Sequence, residues 1–268
     1  LKGILYLENN ITTNVFTAQR LEVLHLLSSQ TAISLDNAQL YSKLNASNSE
    51  LNATNIAYKR FVPREFLEHI GKKNIVDVKL GDQSQEIMSI LFSDIRSFTT
   101  LSEGMTPQET FNFINSYLEH MEPIILRNKG FIDKYIGDAI LALFTNADDA
   151  LQASLAMMAE LERYNQGRKQ AGYAPLEIGI GVNTGPLALG IVGSTNRMEA
   201  TVIGDAVNLG ARVESLTKDY DTSILISHHT FEHLQEVDKY QIHELEKIQV
   251  KGKKEWVMIY GVSVPKED

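Results

Sequence analysis

A chain of 268 residues, 43% apolar and 22% charged, has the composition of a globular protein and the length for one large domain or two smaller ones. It contains no cysteine, which excludes a disulfide framework and thiolate metal centres and makes the reducing cytoplasm the natural compartment. No apolar run reaches the length of a membrane span, and a net charge of −9 argues against nucleic-acid partners, so any anionic substrate must meet locally concentrated cations.

The chain opens on an apolar segment, "LKGILYLEN", that reads as a strand, and passes through polar "NITTN" into a helical pattern from about Thr17 to Tyr41. "FTAQRLEVLHLLSSQTAISLDNAQLY" resembles the last helix of a GAF domain, and the segment before it that domain's last strand. Residues 1–41 are therefore expected to be the C-terminal end of a GAF-type sensor domain in the same chain. From Leu40 to Phe61, the residues Leu40, Leu44, Leu51, Tyr58 and Phe61 keep a 4-3 spacing if Ser47 and Thr54 are admitted. Residues 42–62 thus read as a helical linker, either a short coiled coil or a solvated helix, since "NASNSELNATN" is rich in weak helix formers.

A different pattern fills residues 63–264. "EIMSILFSDI" reads as a buried strand, and "TPQETFNFINSYLEHMEPIILRNKG" as a helix opened by a Thr106-to-Glu109 capping box with Pro107 at its first position. "FIDKYIGDAILALF" is expected to form two strands about a tight Gly137-Asp138 turn, followed by the helix "ADDALQASLAMMAELERYNQ" and the strand "LEIGIGVNTG". This order is the ferredoxin-like split βαβ arrangement: an α+β domain with a mostly antiparallel sheet and helices on one face. The glycine-rich pieces "GIGVNTG", "GIVGS" and "VIGDAVNLG" lack GxGxxG spacing between a strand and a helix, which argues against a dinucleotide site.

Chemistry enters where the buried strand ends on "LFSDIRSFT". Asp94 alone is read equally as a turn or cap residue. A second carboxylate, Asp138, lies at the hairpin tip, and in a split βαβ sheet a strand end and a hairpin tip can share one rim, with the Asp94 strand antiparallel to "FIDKYI" or near it. Two carboxylates without His or Cys suit Mg2+ or Mn2+, and a pair of such ions can activate a hydroxyl and neutralise a triphosphate.

"FSDIRSFT", "KYIGDAILALF" and "TVIGDAVNLGARVE", in that order, resemble the catalytic domain of class III nucleotidyl cyclases, over about Ile87 to Tyr260. The resemblance implies conversion of a nucleoside triphosphate to its 3′,5′-cyclic monophosphate and pyrophosphate by a homodimer with shared sites. It assigns Asp94, Asp138 and the Ile95 carbonyl to two ions per site. Backbone N–H groups of Arg96, Ser97, Phe98 and Thr99 would face the β- and γ-phosphates. Lys134 and Thr201, with neighbouring Val202, would meet the base; Asn208 would orient the ribose and Arg212 the charge developing on the phosphates. Lys251, in "VKGKK", would reach the terminal phosphate. Lysine is a donor suited to the acceptor N1 of adenine, and guanylyl cyclases resembling this domain carry Glu there, so the pair implies ATP and resembles subclass IIIb. Gly179 stands where some cyclases have an arginine near the triphosphate.

Three other features read blandly. His229 and His233 in "HHTFEH" lie one turn apart without a third ligand, Met157-Met158 follow core spacing, and Glu160 and Glu162 are expected to be solvated. Two rival functions stay open: a guanylyl cyclase, disfavoured by Lys134, and a silent dimeric regulatory module, disfavoured because Asp94, Asp138 and Arg212 are all present. A diguanylate cyclase is disfavoured by "YIGDAI" in place of its GG[DE]EF-type turn.

Overall fold

The computed structural model describes residues 4–11, 15–58, 61–249 and 256–263. The chain divides into two compact units, Leu1–Phe61 and Val62–Asp268. In the first, residues 4–9 form no strand, contrary to expectation, because among the described residues they have no sheet partner to complete a ladder. Helix α1 runs unbroken over Ala18–Tyr58, joining the expected sensor helix and linker into one element, and none of its residues is buried.

The second unit is an eight-stranded sheet with helices on both faces. Strands β1 (Gln83–Ile95), β2 (Phe131–Ile136), β3 (Ala139–Phe144) and β4 (Ile178–Ser194) are ordered β2-β3-β1-β4, with α3 (Phe98–Ser102) and α4 (Pro107–Arg127) before β2 and α5 (Ala147–Gln170) before β4. This is the split βαβ arrangement that the sequence predicts. Its β1 pairs with β3, so β3 separates β1 from β2 and the two run parallel: of the two expected relations, antiparallel to "FIDKYI" or near it, the second holds. Beyond β4 the sheet continues through β6 (Ile224–Ser227), β8 (Trp256–Val262) and β7 (Ile242–Gln249), while β5 (Arg197–Ile203) pairs with β4. All pairings are antiparallel except β4 with β6.

The capping box of α4 forms as predicted: Thr106 Oγ1 accepts from the Glu109 N–H, and the Glu109 carboxylate accepts from the Thr106 N–H at 2.7 Å. Met121, Ile125, Leu151 and Met157 from α4 and α5 pack on Leu91, Ile140, Ile180 and Ile226. Residues one position away, Ile90 and Phe92, face the other way, against α2 (Arg64–His69) and the start of α6 (Asp205–Leu216). Helices therefore cover both faces, where one was expected, and this explains why β1 reads as a continuous apolar run and not an alternating one.

The glycines of "GIGVNTG" now have a structural cause. Gly179 and Gly181 lie on the α6 face of β4. A Cβ on Gly181 would stand 2.1 Å from the Glu214 backbone nitrogen, so only glycine lets α6 lie this close. Asn183 fixes the helix start, its side-chain amide donating to the Ala206 carbonyl at 2.8 Å.

Candidate active site

Because side chains alternate along a strand, Asp94 follows Ile90 and Phe92 onto the α6 face, at the end of β1. The register Ser93↔Ile140 brings Asp94 beside the start of β3, and therefore beside Asp138 in the preceding turn. That turn is two residues long, with φ of +66° at Gly137 and no positive φ at Asp138, as a II′ hairpin requires. Sheet register and turn chemistry thus bring together the two carboxylates that the sequence singled out.

Their electrostatics follow from this crowding. Burial, then the Asp94 carboxylate within hydrogen-bonding reach, pushes Asp138 up to about 6, while backbone N–H groups of Asp138 itself and Ile95 pull the other way. Asp138 Oδ2 is buried without a hydrogen-bond partner. An orphaned carboxylate oxygen beside a second carboxylate is a fitting place for a hard divalent cation. Among the described residues no three His, Asp or Glu side chains gather as metal ligands, so an ion here would rest on two carboxylates plus backbone and substrate oxygens. The same holds for the "HHTFEH" helix, α7 (His228–His233), where His233 Nδ1 donates to the His229 carbonyl and His228 lies between Tyr260 and Glu232.

The expected phosphate loop is only partly available. The Arg96 N–H is spent on the Glu177 carbonyl at 2.8 Å, and its guanidinium donates to the Thr217 and Thr222 carbonyls at 3.1 and 2.7 Å. Arg96 therefore fastens the end of β1 to the segment after α6, which corrects its expected place among the phosphate donors. Phe98 packs on Phe113, Thr99 is exposed, and Ser97 takes a left-handed conformation (φ 56°) that turns the chain into α3.

Lys134 and Thr201, 67 residues apart, are brought together: Lys134 Nζ donates to Thr201 Oγ1 at 2.8 Å and lies 3.1 Å from Glu199 Oε1. Val202 is buried in the core, so its side chain does not face a substrate. On α6, Asn208 and Arg212 are one turn apart, exposed, and make no side-chain hydrogen bond among the described residues. Lys251 lies outside the described residues.

The sequence model of the adenylate and guanylate cyclase catalytic domain matches residues 80–263. The chain belongs to the class III nucleotidyl cyclase family. It is 40% identical over 231 residues to an adenylate cyclase of Anabaena cylindrica, an alignment covering 84% of this chain and 46% of that protein. The chain thus spans under half the length of that relative. Among solved structures, the adenylyl cyclase CyaB from P. aeruginosa is 34% identical with a TM-score of 0.62, covering 69% of this chain and 98% of that one. The guanylyl cyclase Cya2 is 36% identical with a TM-score of 0.60, covering 70% and 96%.

Sequence reasoning missed three charged groups of this cyclase domain. Glu214, on α6, is buried and pushed up to about 7 by burial first and then by Asp94. Lys218 Nζ stands 3.8 Å from Asp94 Oδ2. Asp133 lies in a β-bulge of β2 with its side chain fully buried, neither carboxylate oxygen hydrogen-bonded and Lys134 Nζ 3.7 Å away. Glu214 closes the segment "TVIGDAVNLGARVE" and Asp133 lies in "FIDKYIGDAILALF", but neither segment marks these residues, and only packing reveals all three. Glu160, expected to be solvated, instead joins His120 at 2.9 Å and Arg163 at 3.0 Å between α4 and α5.

Burial raises Asp133 to about 6 against the attraction of Lys134. A carboxyl whose pKa is higher folded than unfolded binds more protons in the folded state between those values. Its contribution to stability is therefore lost as pH rises from about 4 to 6 and stays absent at neutrality. Asp133→Asn is expected to stabilise the fold at pH 7.5 by about 2 kcal/mol, with a smaller difference at pH 4. Thermal melts of both proteins at the two pH values check the sign.

Proposed function

We infer that the chain is an adenylyl cyclase that forms 3′,5′-cyclic AMP and pyrophosphate from ATP. The observation that carries the reading is the meeting of Lys134 with Thr201 at 2.8 Å, which presents an ammonium and a hydroxyl together where a purine edge can be read. Asp94, Asp138 and the Ile95 carbonyl would hold two Mg2+ or Mn2+ ions, which when bound supply activation of the ribose 3′-hydroxyl and neutralisation of the phosphates. The N–H groups of Ser97, Phe98 and Thr99 would face the β- and γ-phosphates, and Lys251 the terminal one. Val202 would contribute only through its backbone. Asn208 would orient the ribose, and Arg212 would stabilise charge as it builds on the phosphates. No side chain stands out as general base, so the hydroxyl proton passes to substrate phosphate or water.

The working unit is a cytoplasmic homodimer with sites shared between chains, and helix geometry supports the sharing. Glu214 and Lys218 meet the Asp94 carboxylate's surroundings, whereas Arg212, two residues before Glu214, projects about 200° around the helix from it. One chain therefore does not turn both its carboxylates and its arginine into the same space. Residues 1–41 would belong to a GAF-type sensor, 42–62 to the linker, and 63–264 to the catalytic domain.

A second reading, GTP as substrate, is favoured by Glu199, an acceptor 3.1 Å from Lys134 Nζ of the kind that guanine's N1–H needs. Incubation with ATP or GTP and Mn2+, followed by identification of the product, separates the two; no cyclic nucleotide from either would leave only the regulatory module. Lys134→Glu should lower turnover of ATP relative to GTP by a factor of about 5 to 150, equivalent to 1–3 kcal/mol, because an acceptor then opposes adenine's N1. The ATP/GTP ratio is the quantity to measure, since loss of the cation near buried Asp133 affects both nucleotides equally.

A further inference from the structure

We propose that Lys218 binds the triphosphate directly, supplying from the end of α6 the positive charge that β4 does not provide at Gly179. The inference rests on the reading of Asp94 and Asp138 as the site of a nucleoside triphosphate and its cations.

Asp94 and Gly179 are opposite one another in the β1–β4 register. Position 179 is crowded: a Cβ there would be 2.3 Å from Thr217 Oγ1 and 2.9 Å from Glu214 Oε1, so any side chain would have to displace both. With glycine there, β4 offers the carboxylates no cation from this position. The residues that crowd that space deliver Lys218, immediately after Thr217, to the same rim.

Two cationic side chains of the described residues approach the end of β1 here, and they differ in what they have left to give. Arg96 is committed to two backbone carbonyls. Lys218 is half exposed, and its one ion pair among the described residues is with Asp94 at 3.8 Å, too long for a hydrogen bond. Its three donors sit on a four-carbon stem that is free to turn.

The carboxyl groups of Asp94, Asp138 and Glu214 gather at this rim, and Lys218 stands beside that of Asp94. Divalent ions on Asp94 and Asp138 would displace the ammonium by competition and repulsion. The nearest new anion is then the substrate's phosphate chain, whose outer oxygens suit a point-charge donor. Lys218 therefore works against bare metal ions and in favour of metal triphosphate, a sign reversal that a packing role would not produce.

Calorimetry on the 268-residue chain tests this with Mn2+ alone and with Mn2+ plus inorganic tripolyphosphate, for wild type, Lys218→Ala and Lys218→Arg. The alanine variant should bind Mn2+ as tightly as wild type or tighter, and tripolyphosphate about tenfold more weakly. The arginine variant should recover to within about threefold of wild type. In turnover assays Lys218→Ala should raise KM for the nucleotide and weaken inhibition by pyrophosphate by similar factors. Unchanged tripolyphosphate affinity in the alanine variant overturns the proposal, and so does equal weakening of Mn2+ and tripolyphosphate binding, which would mark Lys218 as structural. If wild type binds no tripolyphosphate and forms no cyclic nucleotide, the reading of the whole site falls; if it does both and Lys218→Ala matches it, only Lys218's role falls.

Discussion

Replacing Asp94 or Asp138 by alanine is expected to lower cyclic AMP formation about a thousandfold or more at saturating Mn2+, with the fold retained. Both residues sit on a rim, Asp94 at a strand end and Asp138 in a two-residue turn, so neither substitution opens a cavity in the apolar core. The metal-free protein should if anything gain from Asp138→Ala. That carboxyl is raised to about 6, chiefly by burial, and carries a buried oxygen with no partner, so its removal relieves a cost. Loss of turnover together with an unchanged or higher melting temperature would separate a metal ligand from a packing residue. Wild-type turnover in either variant would remove the two-metal assignment.

What the sequence made legible was what local chemistry specifies. The α4 capping box, the Gly137-Asp138 turn and the Asp94 strand end are each written within a few adjacent residues, and each forms where expected. The pairing of Lys134 with Thr201 is not local, and followed only from resemblance to a family. The covering of the second sheet face was missed because an apolar run such as "ILF" does not say how many helices bury it. Asp133 and Glu214 were missed for a related reason. Burial raises the pKa of each, Asp133 in a β-bulge of β2 and Glu214 where α6 packs on glycines of β4. Lys218 carries no sequence signal of its own, and only the fold sets it beside Asp94.

Mixing two inactive variants, Asp94→Ala and Arg212→Ala, is expected to restore activity if the sites are shared between chains. Asp94 and Asp138 lie together on one rim, while Asn208 and Arg212 project from an exposed face of α6 with no partner among the described side chains. Lys134 and Asp138 are only four residues apart yet flank a strand and its turn, which suits two neighbouring sites better than one. In a two-fold dimer each chain would lend its carboxylates to one site and its Lys134, Thr201, Asn208 and Arg212 to the other. A mixed dimer then gathers both lesions into one site and leaves the other whole. With free exchange half the dimers are mixed and each has one working site, so recovery should approach about a quarter of wild-type activity. Asp94→Ala mixed with Asp138→Ala should recover nothing, because both lesions fall on the same side of the division. Subunit exchange is verified with differently tagged chains before activity is read. A first mixture that stays inactive after exchange, or a second that revives, would mean that carboxylates and arginine act within one chain, and the exposed face of α6 would then need a different occupant.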